Sequence, residues 1–347
     1  MMAIRFANSD EINDWNSRIL ANPDNGNIFQ GIEFAEQKKL GGWTPRLIVA
    51  DDLAITTLEK TALGLGKLWY IPKGPGVNTT RELDEVLPEL RAFAEENGVF
   101  AVKIEPEIIK KDENLADLLK LGLKKVTPIQ PNASTVLLDL SPDLETIMAS
   151  LNQKSRHAIR RAERDGVTAE PVKANEENCQ IMYALLRDTA AGSFRIRSFN
   201  YYKTFWQAYE KANLGQLFFA YFEGKVVAGA YAIAFGKKGT YKDGASVRER
   251  TAYGASHLLQ WRVIEWMKTK GVIIHDLCGT PPADEINNTG HSYYGIGRFK
   301  TSFNKEVTDY VGAYDIVIKP RAYDVWIKIG QKIALRLHTY LHHENYF

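Results

Sequence analysis

The sequence has little of what disulfide-linked, zinc-binding or membrane-spanning proteins require. Cysteine occurs only at Cys179 and Cys278 among 347 residues, at no spacing typical of a metal site, so neither a disulfide framework nor a zinc module is predicted. No stretch approaches the roughly 18 apolar residues of a membrane span. The first residues lack the apolar core of a secretory signal. These absences predict a cytoplasmic protein.

Excess charge is also lacking. The 44 Lys and Arg residues nearly balance 42 Asp and Glu, for a net charge of +2. A protein that binds mainly to a nucleic-acid backbone is normally more basic, so any RNA contact is expected to be local. The histidines offer no metal pair, because the neighbours His342 and His343 point in different directions on a helix. No metal site is expected.

What is present is the composition of an ordinary globular protein, 45% hydrophobic and 25% charged, at a length that favours two domains. Residues 68–105 and 240–277 follow one plan, namely a strand, a turn (242–245 in the second copy), an amphipathic helix, a helix-ending glycine and another strand. We expect two duplicated α/β halves, each with a ligand site where strands diverge. Prolines at 128, 131 and 142 place the boundary near residue 143.

The most informative segment is 290–314, a glycine-rich and aromatic approach to Phe299 and Lys300 followed by a strand that closes at 310–312. A lysine just after an aromatic residue, in a loop whose glycines allow close backbone approach, is placed to stabilise negative charge developing on a substrate. Taken alone, a Phe-Lys pair is more often a solvated lysine.

Other motifs accompany this pair in a fixed order. They are WYIPKGP (69–75), IQPN (129–132), TVLLDL (135–140), LNQKSR (151–156) with IRRA (159–162) and GV (166–167), HDLCG (275–279), RFKTSF (298–303) and YVG (310–312). The ordered set resembles the Fem family of peptidoglycan-branching aminoacyltransferases over about residues 29–323.

The resemblance implies two tandem acyl-CoA N-acyltransferase (GNAT)-like domains. The first would comprise residues 1–143 plus about 320–347, and the second residues 144–319, with the final helix packed on the first half. Some relatives carry a long helical arm in the second half. Residues 188–241 contain no heptad run, so the chain is expected to be of the compact, arm-free type.

The implied reaction moves an aminoacyl group from aminoacyl-tRNA to the third-position amine of a precursor stem peptide, in UDP-MurNAc-pentapeptide or lipid II. An ester is already activated, so the enzyme mainly aligns the amine and stabilises the oxyanion. No cofactor and no covalent nucleophile are expected, and the protein is expected to be a monomer. Transfer to another amine, on a lipid or protein, and noncatalytic binding of precursor or RNA are the alternatives.

The resemblance assigns roles to particular residues. Lys300 would stabilise the oxyanion, and Phe299 would position Lys300 or else pack in the core. Glu105 would orient or deprotonate the attacking ammonium group, or else be a structural strand-end carboxylate. Lys38, with Lys39 as the alternative, would bind the precursor diphosphate.

Arg197, with Arg195 as the alternative, would bind the same diphosphate, since a guanidinium can hold a phosphate through two bonds; a surface ion pair is the competing interpretation. Tyr241 and Asp276 are expected to line the second-half cleft. Arg156 and Arg160 share a helix face that would contact tRNA phosphates or precursor, or else solvent.

Two further sequence signals complete the interpretation. Residues 251–256 lack the Gln/Arg-x-x-Gly-x-Gly/Ala pattern with which coenzyme-A enzymes bind pyrophosphate at a helix start, which weakens an acetyltransferase assignment. In the last helix, Trp326, Ile329, Ile333, Leu337 and Tyr340 share an apolar face that is expected to dock on the first half. Lys328, Lys332 and Arg336 form a basic row that would give weak membrane contact.

Overall fold

The computed structural model describes residues 2–62, 64–130, 133–190, 196–247 and 252–342, with side chains up to residue 336. The chain divides into two compact units, Met1–Ala133 with Asp309–Phe347, and Ser134–Thr308. The sequence placed the boundaries near 143 and 320. Both fall earlier, at 134 and 309, the first because the strand that starts at Ser134 pairs within the second unit.

Strands of the described residues form two mixed sheets, one in each unit. In chain order they are β1 (Ile4–Phe6), β2 (Thr44–Ala50), β3 (Leu53–Ala62), β4 (Gly66–Ile71), β5 (Val99–Ile104), β6 (Lys124–Val126), β7 (Ser134–Asp139), β8 (Thr168–Val172), β9 (Gly215–Phe222), β10 (Lys225–Phe235), β11 (Lys238–Ser246), β12 (Ile274–Gly279), β13 (Thr308–Asp309) and β14 (Ala313–Val317). The sheet orders are β1-β2-β3-β4-β5-β14-β6 and β13-β7-β12-β11-β10-β9-β8.

Helices flank these sheets. They are α1 (Ser9–Asn13), α2 (Trp15–Ala21), α3 (Ile32–Lys39), α4 (Thr80–Glu96), α5 (Asp112–Lys120), α6 (Leu144–Ser150), α7 (Gln153–Arg164), α8 (Glu176–Ala190), α9 (Phe199–Lys211), α10 (Ala255–Thr269), α11 (Tyr294–Lys300), α12 (Pro320–Val325) and α13 (Gln331–His342). Short 3-10 turns lie at Ile28–Gln30 and Ala283–Glu285, and a π-turn at Trp326–Gly330.

The duplicated plan is confirmed. In the first unit β4 and β5 are parallel and joined by α4, and in the second unit β11 and β12 are parallel and joined by α10. Each connecting helix is followed by a glycine with positive φ, Gly98 at 74° and Gly271 at 73°, a conformation that glycine adopts without steric cost. The apolar faces of both helices pack into the cores of their own units.

Two local expectations were wrong. The predicted turn at 242–245 lies inside β11, where Lys242 is the extra residue of a bulge opposite Tyr231 and Ala232. Gly244 reflects close packing, because a Cβ there would meet the Tyr241 hydroxyl. The segment around Phe299 and Lys300 is not a loop but the helix α11.

The C-terminal helices belong to the first unit. Tyr323 and Trp326 are buried, and the Trp326 ring packs 5.7 Å from that of Phe100. Ile329 and Ile333, expected on the same buried face, are instead exposed. The side chains of Leu337 and Tyr340 lie outside the described part of the chain.

The two glycines that bracket α10 give a matched stability test. Both have left-handed backbones, Gly254 at φ 78° and Gly271 at φ 73°. A Cβ on Gly254 would lie 2.2 Å from the Ala158 carbonyl oxygen, whereas nothing lies within 4 Å of one on Gly271.

We predict that Gly271→Ala lowers the free energy of unfolding by about 1–2 kcal/mol from backbone strain alone. Gly254→Ala should cost roughly 1–3 kcal/mol more, because α7 must also move. Urea unfolding of both variants measures the difference. Equal losses would show that the approach of α7 to Gly254 is not tight.

Candidate active site

Lys300 ends α11 in the second unit with its ammonium group buried. Its Nζ donates a hydrogen bond to the Gly279 carbonyl oxygen at 2.7 Å. The helix can lie this close to Pro281 because residue 297 is glycine; a Cβ there would be 2.7 Å from the Pro281 ring. The bond takes one of the three N–H donors of the ammonium group.

The Gly279 carbonyl is aimed by an irregularity in β12. The register against β7 shifts between Asp276 and Gly279, and Cys278 has φ 61°, a conformation that is strained for a side chain other than glycine. The Asp276 carboxylate accepts the Cys278 backbone N–H at 2.6 Å and also accepts the Thr135 hydroxyl. Two motifs far apart in sequence, 135–140 and 275–279, thus meet on adjacent strands.

Two opposing influences act on the pKa of the Lys300 ammonium group. Burial lowers the pKa of its ammonium group, while Cys278 and Asp276 raise it. A buried lysine beside a carboxylate remains able to donate as a cation while its solvation by water is reduced. Lys300 and Asp276, which the sequence assigned to separate roles, therefore interact electrostatically within this unit.

Phe299 faces the core. Its ring lies 5.1 Å from His257 and 5.3 Å from Phe303, both edge to face. Burial lowers the pKa of His257 to about 4, so this imidazole is neutral near pH 7. These contacts support the packing alternative for Phe299. The ring holds one side of α11 against the core of the second unit.

Tyr241 packs against the core of the second unit, and burial, followed by the charge of Asp243, raises the pKa of its hydroxyl. Its strand β11 runs beside β12, where Thr240 is paired with Asp276. Tyr241 and Asp276 therefore come from adjacent strands, as the duplicated plan predicts.

Arg197 precedes α9 and lies against a row of aromatic side chains on that helix. Its guanidinium carbon lies 4.5 Å from the centre of the Tyr201 ring, within cation–π range. The row continues through Tyr202 to Trp206, whose indole N–H donates to Asp243 at 2.9 Å. Arg195, the alternative to Arg197, lies outside the described residues.

Glu105 follows the last residue of β5 in the first unit and is buried. It accepts hydrogen bonds from the Tyr70 hydroxyl at 3.0 Å and from the backbone N–H groups of Ile129 at 2.5 Å and Gln130. Burial raises the pKa of Glu105, and these donors together with Lys73 oppose the rise. The carboxylate lines a small cavity with Lys73.

Two buried lysines of the same unit each lie close to an aromatic ring. Lys38 is buried with its Nζ 5.2 Å from the Phe34 ring, and Lys60 is buried with its Nζ 4.6 Å from the Trp43 ring. The Trp43 backbone N–H donates to the Lys38 carbonyl, and its ring lies 6.1 Å from that of Tyr70. A continuous path of contacts therefore joins Lys38 to the Glu105 cavity.

The basic row on α7 divides between two roles. The Arg156 guanidinium donates to the carbonyls of Ala149 and Leu151 and so completes the C-terminal turn of α6, whereas Arg160 is exposed. Arg156 also borders a groove of about 770 Å³. Its lining includes Thr301, the residue after Lys300, together with Asn152, Gln153, Ser302, Asn304 and Lys305. The groove walls are mostly polar and carry both signs of charge.

Within the described ranges, no cluster of three or more His, Cys, Asp or Glu side chains is arranged to hold a metal ion. Nor does any helix of that part of the chain have the length and apolar character to cross a bilayer.

Comparison with known proteins decides the family. The profile of the FemAB family matches residues 122–223 and 213–329. The chain belongs to the FemAB family. It is 21% identical to a lipid II:glycine glycyltransferase of Staphylococcus epidermidis over 406 aligned positions, covering 89% of this chain and 95% of the relative.

Identity to a UDP-N-acetylmuramoylpentapeptide-lysine N(6)-alanyltransferase of Weissella viridescens is 25%, covering 87% of this chain and 93% of the relative. Among solved structures, FemX superposes with a TM-score of 0.80 at 19% identity, covering 95% of this chain and 100% of that one. This likeness confirms the fold that the sequence resemblance implied.

Sequence reasoning missed Tyr70, Lys73 and Gln130 as neighbours of Glu105, and Thr135 as a partner of Asp276. The signal was present, since Tyr70 and Lys73 lie in the WYIPKGP motif, Gln130 in IQPN and Thr135 in TVLLDL. Motif order alone does not say which motifs meet in space. The pairing of β7 with β12 and of β4 with β5 does.

The Tyr70 bond to Glu105 gives a test that is independent of any activity. Tyr70→Phe removes a donor to the charged carboxylate, so the pKa of Glu105 should rise further above its usual range. Tyr323→Phe is the matched control, because it removes a tyrosine hydroxyl that donates to a different carboxylate, Asp315, at 3.0 Å. Carbon-13 NMR titration of the Glu105 carboxyl measures both. An unchanged titration in Tyr70→Phe would refute the bond.

Proposed function

We propose that this chain is an aminoacyltransferase that adds an amino acid from aminoacyl-tRNA to the stem-peptide amine of a peptidoglycan precursor. The observation that carries the proposal is Lys300, a buried and oriented ammonium group in the segment that resembles the Fem enzymes. The named relatives, a lipid II:glycine glycyltransferase and a UDP-N-acetylmuramoylpentapeptide-lysine alanyltransferase, support the same reaction class.

In the proposed step, the neutral stem-peptide amine attacks the ester carbonyl, and negative charge develops on the carbonyl oxygen. A C–N bond forms and the C–O bond to the tRNA ribose breaks, while the amine loses a proton and the ribose oxygen gains one. Gly279 holds one N–H of Lys300 in the described contacts, which leaves two to donate to the oxyanion. Asp276 favours the charged state of the lysine.

Glu105 is proposed to orient the stem-peptide ammonium group and to accept its proton, which leaves the neutral amine that attacks. Its raised pKa favours proton acceptance near neutral pH more than an ordinary glutamate would. Lys38 and Arg197 are proposed to bind the precursor diphosphate, the first as a buried ammonium group and the second as a guanidinium backed by Tyr201.

The acyl donor is proposed to be aminoacyl-tRNA rather than acyl-CoA. The start of α10, where coenzyme-A enzymes bind pyrophosphate, has the Ala158 carbonyl oxygen against Gly254, and an oxygen there disfavours an anion. The polar groove after Lys300, with exposed Arg160 on the neighbouring helix, supports a local site for the end of a tRNA. The reaction would take place in the cytoplasm.

The decisive assay incubates the protein with charged tRNA and either soluble or lipid-linked precursor. Labelled amino acid on the stem peptide supports the proposal. Transfer to a lipid or protein amine instead would assign the enzyme to another acceptor, and binding without turnover would make it a noncatalytic member of the family.

For Lys300, we predict that Lys300→Met lowers turnover about 10²- to 10³-fold with little change in precursor affinity, the scale of losing one preorganised donor. Lys225→Met, at an exposed lysine of the same unit, is the control. Because burial lowers the pKa of Lys300, the activity of the parent protein should fall with rising pH below the usual range of a lysine. Near-normal turnover in Lys300→Met would remove this residue from the mechanism.

For the diphosphate site, Lys38→Met should raise the KM for precursor about tenfold or more with a smaller change in kcat, because the lost charged contact contributes equally to ground and transition states. Lys39→Met is a matched control, because Lys39 is the exposed neighbour of Lys38 and, among the described contacts, pairs only with Glu36. Arg197→Gln should behave like Lys38→Met, with Arg164→Gln as control. A constant KM with reduced kcat would contradict the assignment.

A further inference from the structure

The C-terminal helices present apolar side chains to solvent. Val325 is 49% exposed, Ile329 58% and Ile333 57%. They lie on a segment that is anchored firmly on its other side, where Tyr323 donates to Asp315 at 3.0 Å and Trp326 packs in the core. The exposed aliphatic side chains are therefore held outward by a fixed helix rather than left on a frayed end.

Basic residues line the same segment. Lys328 and Lys332 each precede an exposed isoleucine by one residue, which places each about a quarter of a turn from that isoleucine around the helix axis, and Arg336 continues the row. All three are exposed, as are Lys319 and Arg321. Between residues 319 and 336 the only acidic residue is Asp324, so the segment carries a net charge of +4, five basic residues less one acidic.

We propose that residues 319–336 dock this protein on an anionic phospholipid surface. Isoleucines at the level of the headgroups and acyl chains leave water, while the flanking lysines and arginines meet lipid phosphates. RNA would neutralise the basic side chains but leave the isoleucines exposed to water. A second copy of the chain would cover the isoleucines but bring two rows of like charge together.

The docking has a consequence for the acceptor. If the proposed function holds, attachment to the inner membrane surface raises the local concentration of lipid-linked precursor relative to the soluble nucleotide precursor. The surface contact itself does not depend on that function, so the two can be tested apart.

The experiment measures co-sedimentation of the full chain with phosphatidylglycerol-containing vesicles and with vesicles of phosphatidylcholine alone, at low and high salt. Two variants remove the two components of the surface, Lys328, Lys332 and Arg336 to Gln, and Ile329 with Ile333 to Ser. Matched controls in the same unit change exposed residues elsewhere, Lys110, Lys111 and Lys120 to Gln, and Leu40 with Leu119 to Ser.

We expect the parent protein to bind phosphatidylglycerol vesicles in a salt-sensitive manner. The triple Gln variant should lower the partition coefficient about 100-fold, by roughly fivefold for each charge. The double Ser variant should lower it about tenfold at both salt concentrations, while both controls bind as the parent does. Circular dichroism and activity on soluble precursor should be unchanged in all four variants.

Equal binding by parent and variants would overturn the proposal. So would a tRNA affinity that falls in the triple Gln variant without a change in vesicle binding, which would assign the row to RNA. A concentration-dependent mass that is lost in the double Ser variant would assign the surface to a second copy. Vesicle binding without aminoacyl transfer to either precursor would refute the proposed function alone, whereas transfer without vesicle binding would refute the docking alone.

Discussion

A buried ammonium group needs a fixed acceptor, and the arrangement around Lys300 follows from that requirement. Removing a cation from water costs several kcal/mol unless hydrogen bonds replace the lost solvation. The acceptor is the Gly279 carbonyl, which the irregularity of β12 directs towards α11. The strained backbone at Cys278 persists because Asp276 accepts its N–H and the Thr135 hydroxyl donates to its carbonyl oxygen. A change in any of these positions therefore alters the direction in which Lys300 donates.

In the first unit, aromatic rings as well as carboxylate oxygens lie beside the buried lysine ammonium groups. Lys60 lies over Trp43 and Lys38 over Phe34, while Lys73 lies 3.7 Å from the Glu107 carboxylate. Aromatic rings and a nearby carboxylate partly replace the water that burial removes from these ammonium groups, and such groups can bind phosphate-like anions. Local concentration of positive charge is thus compatible with a net charge of only +2.

The large elements were predictable because they depend on periodicity. The repeated strand-helix-strand plan follows from apolar spacing and helix-ending glycines, and α7 follows from the four-residue spacing of its arginines. What failed depends on contacts distant in sequence. Gly244 and Gly297 suggested a turn and a loop, yet they are glycines because Tyr241 and Pro281 lie against them. The neighbours of Glu105 and Asp276 could not be found without the order of the strands.

The exposure of Ile329 and Ile333 has a local cause that apolar spacing cannot reveal. An ideal α-helix places both on the face of Trp326, since offsets of three and seven residues nearly complete whole turns. The turn at Trp326–Gly330 is instead a π-turn, which adds one residue and rotates the following helix by roughly a quarter of a turn. Gly330 permits it by allowing the Trp326 ring to lie close, 3.0 Å from where a Cβ would stand. Trp326 therefore remains in the core while the isoleucines after it turn towards solvent beside the basic row.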